Sequence, residues 1–326
     1  MLEISAGAMA ACSRGGDGKV HCWGNGQLGR GSQARQRQAA APVKEGDEPM
    51  SGAKQISIGD TMGCAVLDTG ALRCWGLGTL GDGSAPPRPY TQAVAVQLGA
   101  SARPGDVVGP VENANKVALG RQFACYLNLE GEVFCWGQND YGQLGISGDQ
   151  VSGMGSCRSA QGSIHCSNHA VSLGIDGVSD LALGAAHACA IVDGGIVCWG
   201  SNESLQVRND NSNEILQPTR LSGIEGAEAL ALGMSHSCAR LSNSKIACWG
   251  ANQHGQLGQT NLDAQDEIIG RVTGPRNVEL AQQRFVASGQ HTACSLGPNG
   301  TLFCWGKMFV GNDQTGNARL ITRLPR

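Results

Sequence analysis

Gly233-Met234-Ser235-His236-Ser237-Cys238 and, ten residues beyond that cysteine, Cys248-Trp249-Gly250-Ala251-Asn252-Gln253-His254-Gly255-Gln256-Leu257-Gly258 form the stretch from which the whole chain can be read. Cys-Trp-Gly recurs at Cys22, Cys74, Cys135, Cys198, Cys248 and Cys304, and the six triplets use all six tryptophans. An earlier cysteine precedes each triplet, at Cys12, Cys64, Cys125, Cys189, Cys238 and Cys294. Five residues ahead of it stands a glycine: Gly7, Gly59, Gly120, Gly184, Gly233 or Gly289, each closing a β-like run. Six copies with fixed internal offsets mark a repeat architecture, one supersecondary unit stacked on the next.

The turn between the two cysteines sets the strand register. Cys64 and Cys74 are symmetric about Thr69, so Asp68-Thr69-Gly70 reads as a three-residue hairpin loop with glycine at the left-handed place. Gly16-Asp17-Gly18, Leu129-Glu130-Gly131 and Pro298-Asn299-Gly300 match; Asp193-Gly194 is a two-residue turn, and Ser242-Asn243-Ser244 lacks the glycine. Each cysteine pair is then directly opposed across two antiparallel strands, about 4.5 to 5.5 Å apart at Cα and within reach of a disulfide. The same register sets Ala11, Gly63, Ala124, Ala188, Ser237 and Ala293 opposite the tryptophans, all small, as an indole lying across the hairpin requires. Zinc is the alternative for paired cysteines, but nine or ten residues around a turn is not the spacing of a zinc knuckle. Bridges are expected for Cys12–Cys22, Cys64–Cys74, Cys125–Cys135, Cys157–Cys166, Cys189–Cys198, Cys238–Cys248 and Cys294–Cys304, and they imply an extracellular, cell-surface or periplasmic location.

Composition narrows the classes. The chain has 326 residues, 49 of them glycine, with 4% aromatic and 41% hydrophobic side chains, consistent with a turn-rich all-β protein. With 24 basic against 27 acidic residues it is not a strongly basic nucleic-acid binder. No apolar run is long enough to span a membrane, and Met1-Leu2-Glu3-Ile4 is not a signal peptide, so the expectation is that any targeting segment has been removed or was never present.

The stretch quoted at the outset resembles the regulator of chromosome condensation repeat, and Trp136-Gly137-Gln138-Asn139-Asp140-Tyr141-Gly142-Gln143-Leu144-Gly145 repeats its ending. The resemblance covers all six repeats, although the tails Ser204-Leu205-Gln206-Val207 and Met308-Phe309-Val310-Gly311 depart from it. It implies a β-propeller with one blade per repeat, and the cysteine pairs are similar to those of secreted bacterial members rather than the nuclear founder. The expected architecture is one closed propeller over 1–326, with six blades and both termini completing one shared blade. Cys157 and Cys166 flank a further hairpin with the nine-residue spacing of Cys189 and Cys198, and Gly162 matches Gly194. It reads as an insertion, 146–172, on repeat three, with a stunted seventh blade as the alternative.

Catalytic chemistry is hard to find. No P-loop, nucleophile elbow or paired metal-carboxylate motif occurs. His187 and His236 hold a repeat position filled elsewhere by Met62, Phe123 and Thr292, which points to packing. His165 and His169 could pair on a metal only on a helix, which Cys166-Ser167-Asn168 does not suggest. Arg30, Arg35 and Arg37 read as a solvated loop, and Asn202-Glu203-Ser204 and Asn299-Gly300-Thr301 are weak glycosylation sequons. The tips after Trp-Gly, by contrast, carry unlike side chains at equivalent places: Asn139, Asp140 and Tyr141, then Gln253 and His254, then Lys307, Met308 and Phe309. Variation on a repeated frame makes a binding surface, and aromatic and Met side chains are usual interface anchors. The expectation is a secreted or cell-surface monomer that binds a protein or peptide, inhibitor-like or adhesion-like, without enzyme activity, metal or organic cofactor. A propeller lyase or hydrolase acting at a central channel is the alternative, and a nucleotide-exchange factor comes third.

Overall fold

A computed structural model describes residues 2–26, 28–31, 38–84, 88–99, 109–146, 155–159, 162–208, 212–258, 272–273, 285–297, 301–307 and 319–323. All regular structure among them is β, and no helix there is long and apolar enough to cross a membrane. The fold is of the β-propeller class, and the chain divides into two compact units, Met1–Gly177 and Val178–Arg326.

The first unit holds the sheets of repeats one to three. Sheet one runs Glu3–Ala6, Ala10–Arg14, Val20–Gly24 and Gln38–Pro42, and sheet two Ala53–Ile58, Met62–Leu67, Leu72–Gly78 and Arg88–Ala95, each strand antiparallel to the one before. Sheet three begins the same way with Ala114–Leu119, Phe123–Asn128 and Val133–Gln138, and its fourth strand is Gly162–Ser172. The second unit repeats the plan: Val178–Leu183 to Glu214–Leu221, Ala227–Leu232 to Val272–Thr273, and Phe285–Ser288 to Arg319–Arg323.

The hairpins have the expected register. Cys12, Cys64, Cys125, Cys189, Cys238 and Cys294 face and are bridged to Cys22, Cys74, Cys135, Cys198, Cys248 and Cys304. Their Cα separations of 4.0 to 4.1 Å are shorter than a 4.5 to 5.5 Å window, as suits the closer, non-hydrogen-bonded kind of cross-strand pair. The six small residues each face a tryptophan, and a Cβ on Gly63 would stand 2.5 Å from the Trp75 ring. At the left-handed turn place Gly70 has φ 85 and Gly131 φ 83, whereas Ser244 is forced to φ 62.

Inner strands tie neighbouring sheets together. The Ser5 hydroxyl accepts from the Ile58 N–H at 3.0 Å, the Ser57 hydroxyl from Leu119 at 3.2 Å, and the Asp180 carboxylate from Leu230 at 2.9 Å. The repeat glycines mark where these strands crowd. A Cβ on Gly7 would lie 1.8 Å from the carbonyl oxygen of Gly59, and one on Gly184 or Gly233 2.5 Å from that of Gly233 or Gly289.

One expectation needs correction. The termini do not share a blade: Glu3–Ala6 pairs with Ala10–Arg14 in sheet one, and Arg319–Arg323 pairs with Thr301–Gly306 in the last sheet. The C-terminal strand is thus the outer strand of the last sheet, as Glu214–Leu221 is of its own. Cys157 and Cys166 lie on the expected hairpin of repeat three, in a register of its own. Gly155–Ser159 pairs with the start of Gly162–Ser172 so that Cys157 faces Ile164 and Cys166 faces Gly155, two residues off the register of Cys189 and Cys198. The same long strand continues as the outer strand of sheet three, with Val171 opposite Cys135. This hairpin therefore extends sheet three from its outer strand, while Gln97–Leu98 and Gly109–Pro110 add further strands beyond it. Cys166 is disulfide-bonded; the side chain of Cys157 lies outside the described residues.

Candidate binding edge

The tip loop of each full-length repeat is organised by its own amides. Asn139, Asn202 and Asn252 accept, through Oδ1, the N–H five residues on, from Leu144, Val207 and Leu257 at 2.9 to 3.0 Å. Gln143, Gln206 and Gln256 accept, through Oε1, the N–H two residues back, from Tyr141, Ser204 and His254, all at 2.8 Å. The main chain of the same glutamine reaches the next repeat: the indole N–H of Trp249 donates to the Gln206 carbonyl at 2.8 Å and that of Trp305 to the Gln256 carbonyl at 2.9 Å. Asn139 is accordingly buried, serving the loop rather than its outer surface, whereas Asp140 and Tyr141 project from it. Tyr141 is 45% exposed, and Asp140 accepts from the His165 N–H of the neighbouring strand. Gln253 is exposed, His254 half-buried and Lys307 exposed; Met308 and Phe309 lie outside the described residues.

A second repeated device was not visible in the sequence. In all six repeats the residue after Trp-Gly donates its N–H to the carbonyl two residues after the repeat glycine. The bonds are Asn25 to Met9, Leu77 to Thr61, Gln138 to Gln122, Ser201 to Ala186, Ala251 to Ser235 and Lys307 to His291, at 2.8 to 3.0 Å. These fixed junctions display side chains that share no chemistry.

In the first unit the junctions of repeats one and two each carry one apolar side chain, Met9 and Leu77. The tips of repeats one and two, Asn25-Gly26-Gln27-Leu28 and Leu77-Gly78-Thr79-Leu80, are three residues shorter than Ala251 to Leu257. A cavity of about 400 Å³ opens beside the first, lined by Met9, Leu28, Ile58, Met62, Trp75 and Leu77 among others. Met9 and Leu77 are 53% and 43% exposed at its mouth. The indole N–H of Trp136, which follows the short second tip, finds no partner among the described residues.

The second unit carries the histidines. His187 and His236 are fully buried, their rings lying over Gly184 and Gly233, where a Cβ would come within 2.1 Å of each ring. Burial holds His187 down to about 3 and His236 to about 4, with His236 adding to the first and His291 to the second. The Ser237 hydroxyl donates to the Gln206 carbonyl at 3.1 Å, so its 2.9 Å contact with His187 Nε2 has the imidazole as donor. Ser237 thus links a tryptophan-facing position to a neutral histidine. Asn202, of the first sequon, is 1% exposed and bonded at both ends of its amide, which leaves no room for a glycan; Asn299 lies outside the described residues. Arg35 and Arg37 lie outside them too. His165 and His169 share an extended strand, and no group of three or more metal-binding side chains assembles among the described residues.

The family described as the regulator of chromosome condensation (RCC1) repeat matches residues 115–143, 130–159 and 228–256. The human E3 ubiquitin-protein ligase HERC2 is 25% identical over 290 residues, 86% of this chain and 6% of that protein. Protein pim1 of Schizosaccharomyces pombe is 27% identical over 62% of this chain and 37% of its own length. The chain thus spans a minor part of these relatives. The crystal structure of Prp20p from Saccharomyces cerevisiae, described with its binding to Gsp1p and histones, superposes with a TM-score of 0.75 at 19% identity, covering 98% of this chain and 76% of that one.

Proposed function

Because the chain carries regulator of chromosome condensation repeats, we propose that it is a protein-binding scaffold of an oxidising compartment, holding its ligand on the edges where the tips and junctions lie. The observation that carries this reading is the set of six identical main-chain bonds presenting Met9, Leu77, Gln122, Ser235, His291 and Lys307 among their side chains. Within each unit, a frame that is constant in backbone and variable in side chain suits recognition of an irregular surface. The half-exposed Tyr141 and the apolar mouth at Met9 and Leu77 supply anchors of the kind that dominate interfaces. Six short-range disulfides support the compartment, since such bridges persist only under oxidising conditions. Prp20p, by its description, binds proteins, which favours a protein as the ligand class.

A photo-crosslinking amino acid placed at Tyr141, and separately at Glu130 on the hairpin turn of the same repeat, tests the proposal in the living source cell. Adducts to one extracytoplasmic protein are expected from position 141 and not from 130. Equal labelling from both, or labelling from 130 alone, contradicts it.

A further inference from the structure

The junction of repeats five and six gathers three bases. The His254 N–H is pinned to Gln256 Oε1 at 2.8 Å, which aims the tip, and its ring meets that of His291 edge-on, centroids 4.8 Å apart at 64°. Lys307 is fixed beside them: its N–H donates to the His291 carbonyl at 2.8 Å, and its own carbonyl accepts from the Thr292 hydroxyl at 2.8 Å. Behind lies His236, buried and neutral. No carboxylate among the described residues forms an ion pair with any of the three. His291 is held below its ordinary value by burial first, then by His254 and Lys307 beside it.

An ammonium and two contacting imidazoles, half-open to solvent and without a counterion among the described residues, form a site suited to an anion. We infer that His254, His291 and Lys307 make a carboxylate-binding site that receives an acidic segment of the protein partner. This rests on the binding-edge reading and adds its chemistry. A carboxylate set against the solvent-facing edges of the rings would accept hydrogen bonds from their N–H groups and pair with Lys307. Protonating the imidazoles strengthens that contact, so binding tightens as pH falls through the histidine range.

The probe is an acetylated, amidated hexapeptide of alternating Glu and Gly, titrated calorimetrically into the whole chain at pH 6 and pH 8 at fixed ionic strength. The expected result is affinity about ten-fold higher at pH 6, the worth of one added charge pair in a partly desolvated site. In His254→Gln/His291→Gln the pH dependence disappears; in Lys307→Met affinity falls at both pH values. The ring resonances of His291 should move to a higher titration midpoint when the peptide is present, a shift that a merely structural role would not produce. The inference is overturned by affinity unchanged in the double variant, by an equally tight Gln-Gly hexapeptide, or by inorganic phosphate displacing the peptide at equal concentration, which would make phosphate the anion. If the peptide fails to bind while the partner still depends on Tyr141, this inference falls and the binding edge stands. If the peptide binds as expected but the partner ignores every tip variant, the binding edge falls alone.

Discussion

Single residues show where the repeat frame is satisfied and where it is forced. Leu205 stands at φ 59, where Gly142 and Gly255 hold φ 70 in equivalent tips, and a left-handed conformation costs a branched side chain about 1 to 2 kcal/mol. Leu205→Gly is therefore expected to raise stability by about 0.5 to 1 kcal/mol after the extra flexibility of glycine in the unfolded chain is allowed for, measured as a shift in urea midpoint at unchanged slope. His236 responds to acid instead. Its folded value of about 4 lies below the ordinary 6.5, so the unfolded chain binds the proton more readily; the neutral ring costs nothing above pH 6.5, and stability is lost as pH falls from there towards 4. His236→Met, which adopts the residue of repeat two, should remove about 2 kcal/mol of the difference in unfolding free energy between pH 7.5 and pH 4.5. A variant with the full acid sensitivity would show that His236 is not buried neutral.

At the scale of elements, the tip loop separates structure from display. Asn139 bonds both the Leu144 N–H and the Ile146 carbonyl from a buried position, so Asn139→Ala should cost about 1 to 3 kcal/mol, whereas Tyr141→Ala should stay within about 0.5 kcal/mol of the parent in the same denaturation experiment. The hairpins were legible because cysteine, tryptophan and a small partner recur at fixed offsets, and one register explains all of them. Asn139 was not legible as a loop-builder, because a recurring Asn in a polar loop looks the same whether it points in or out. The pairing of His291 with Lys307 escaped notice because it depends on a main-chain bond between residues sixteen apart, which leaves no mark on side-chain identity. Cys157 and Cys166 marked a hairpin on repeat three, but their spacing did not carry its register, which sets Cys157 opposite Ile164 as Gly162–Ser172 runs on along the outer edge of sheet three.

For the whole molecule, short-range staples and repeated packing hold the frame while the edges vary. Each bridge closes a hairpin of ten residues or fewer, so Cys64→Ala/Cys74→Ala should lower unfolding free energy by about 2 to 3 kcal/mol without altering the strand content seen by circular dichroism. The central claim is that the tips bind and the hairpin turns do not. The measurement that tests it most directly is the equilibrium affinity of the cross-linked partner, once purified, for two matched variants. Tyr141→Ala/His254→Ala/Phe309→Ala is predicted to weaken binding by about thirty-fold or more, the scale of one interface anchor, while Glu130→Ala/Asn243→Ala on the hairpin turns leaves it unchanged. Full affinity in the tip variant together with loss in the turn variant would contradict the account.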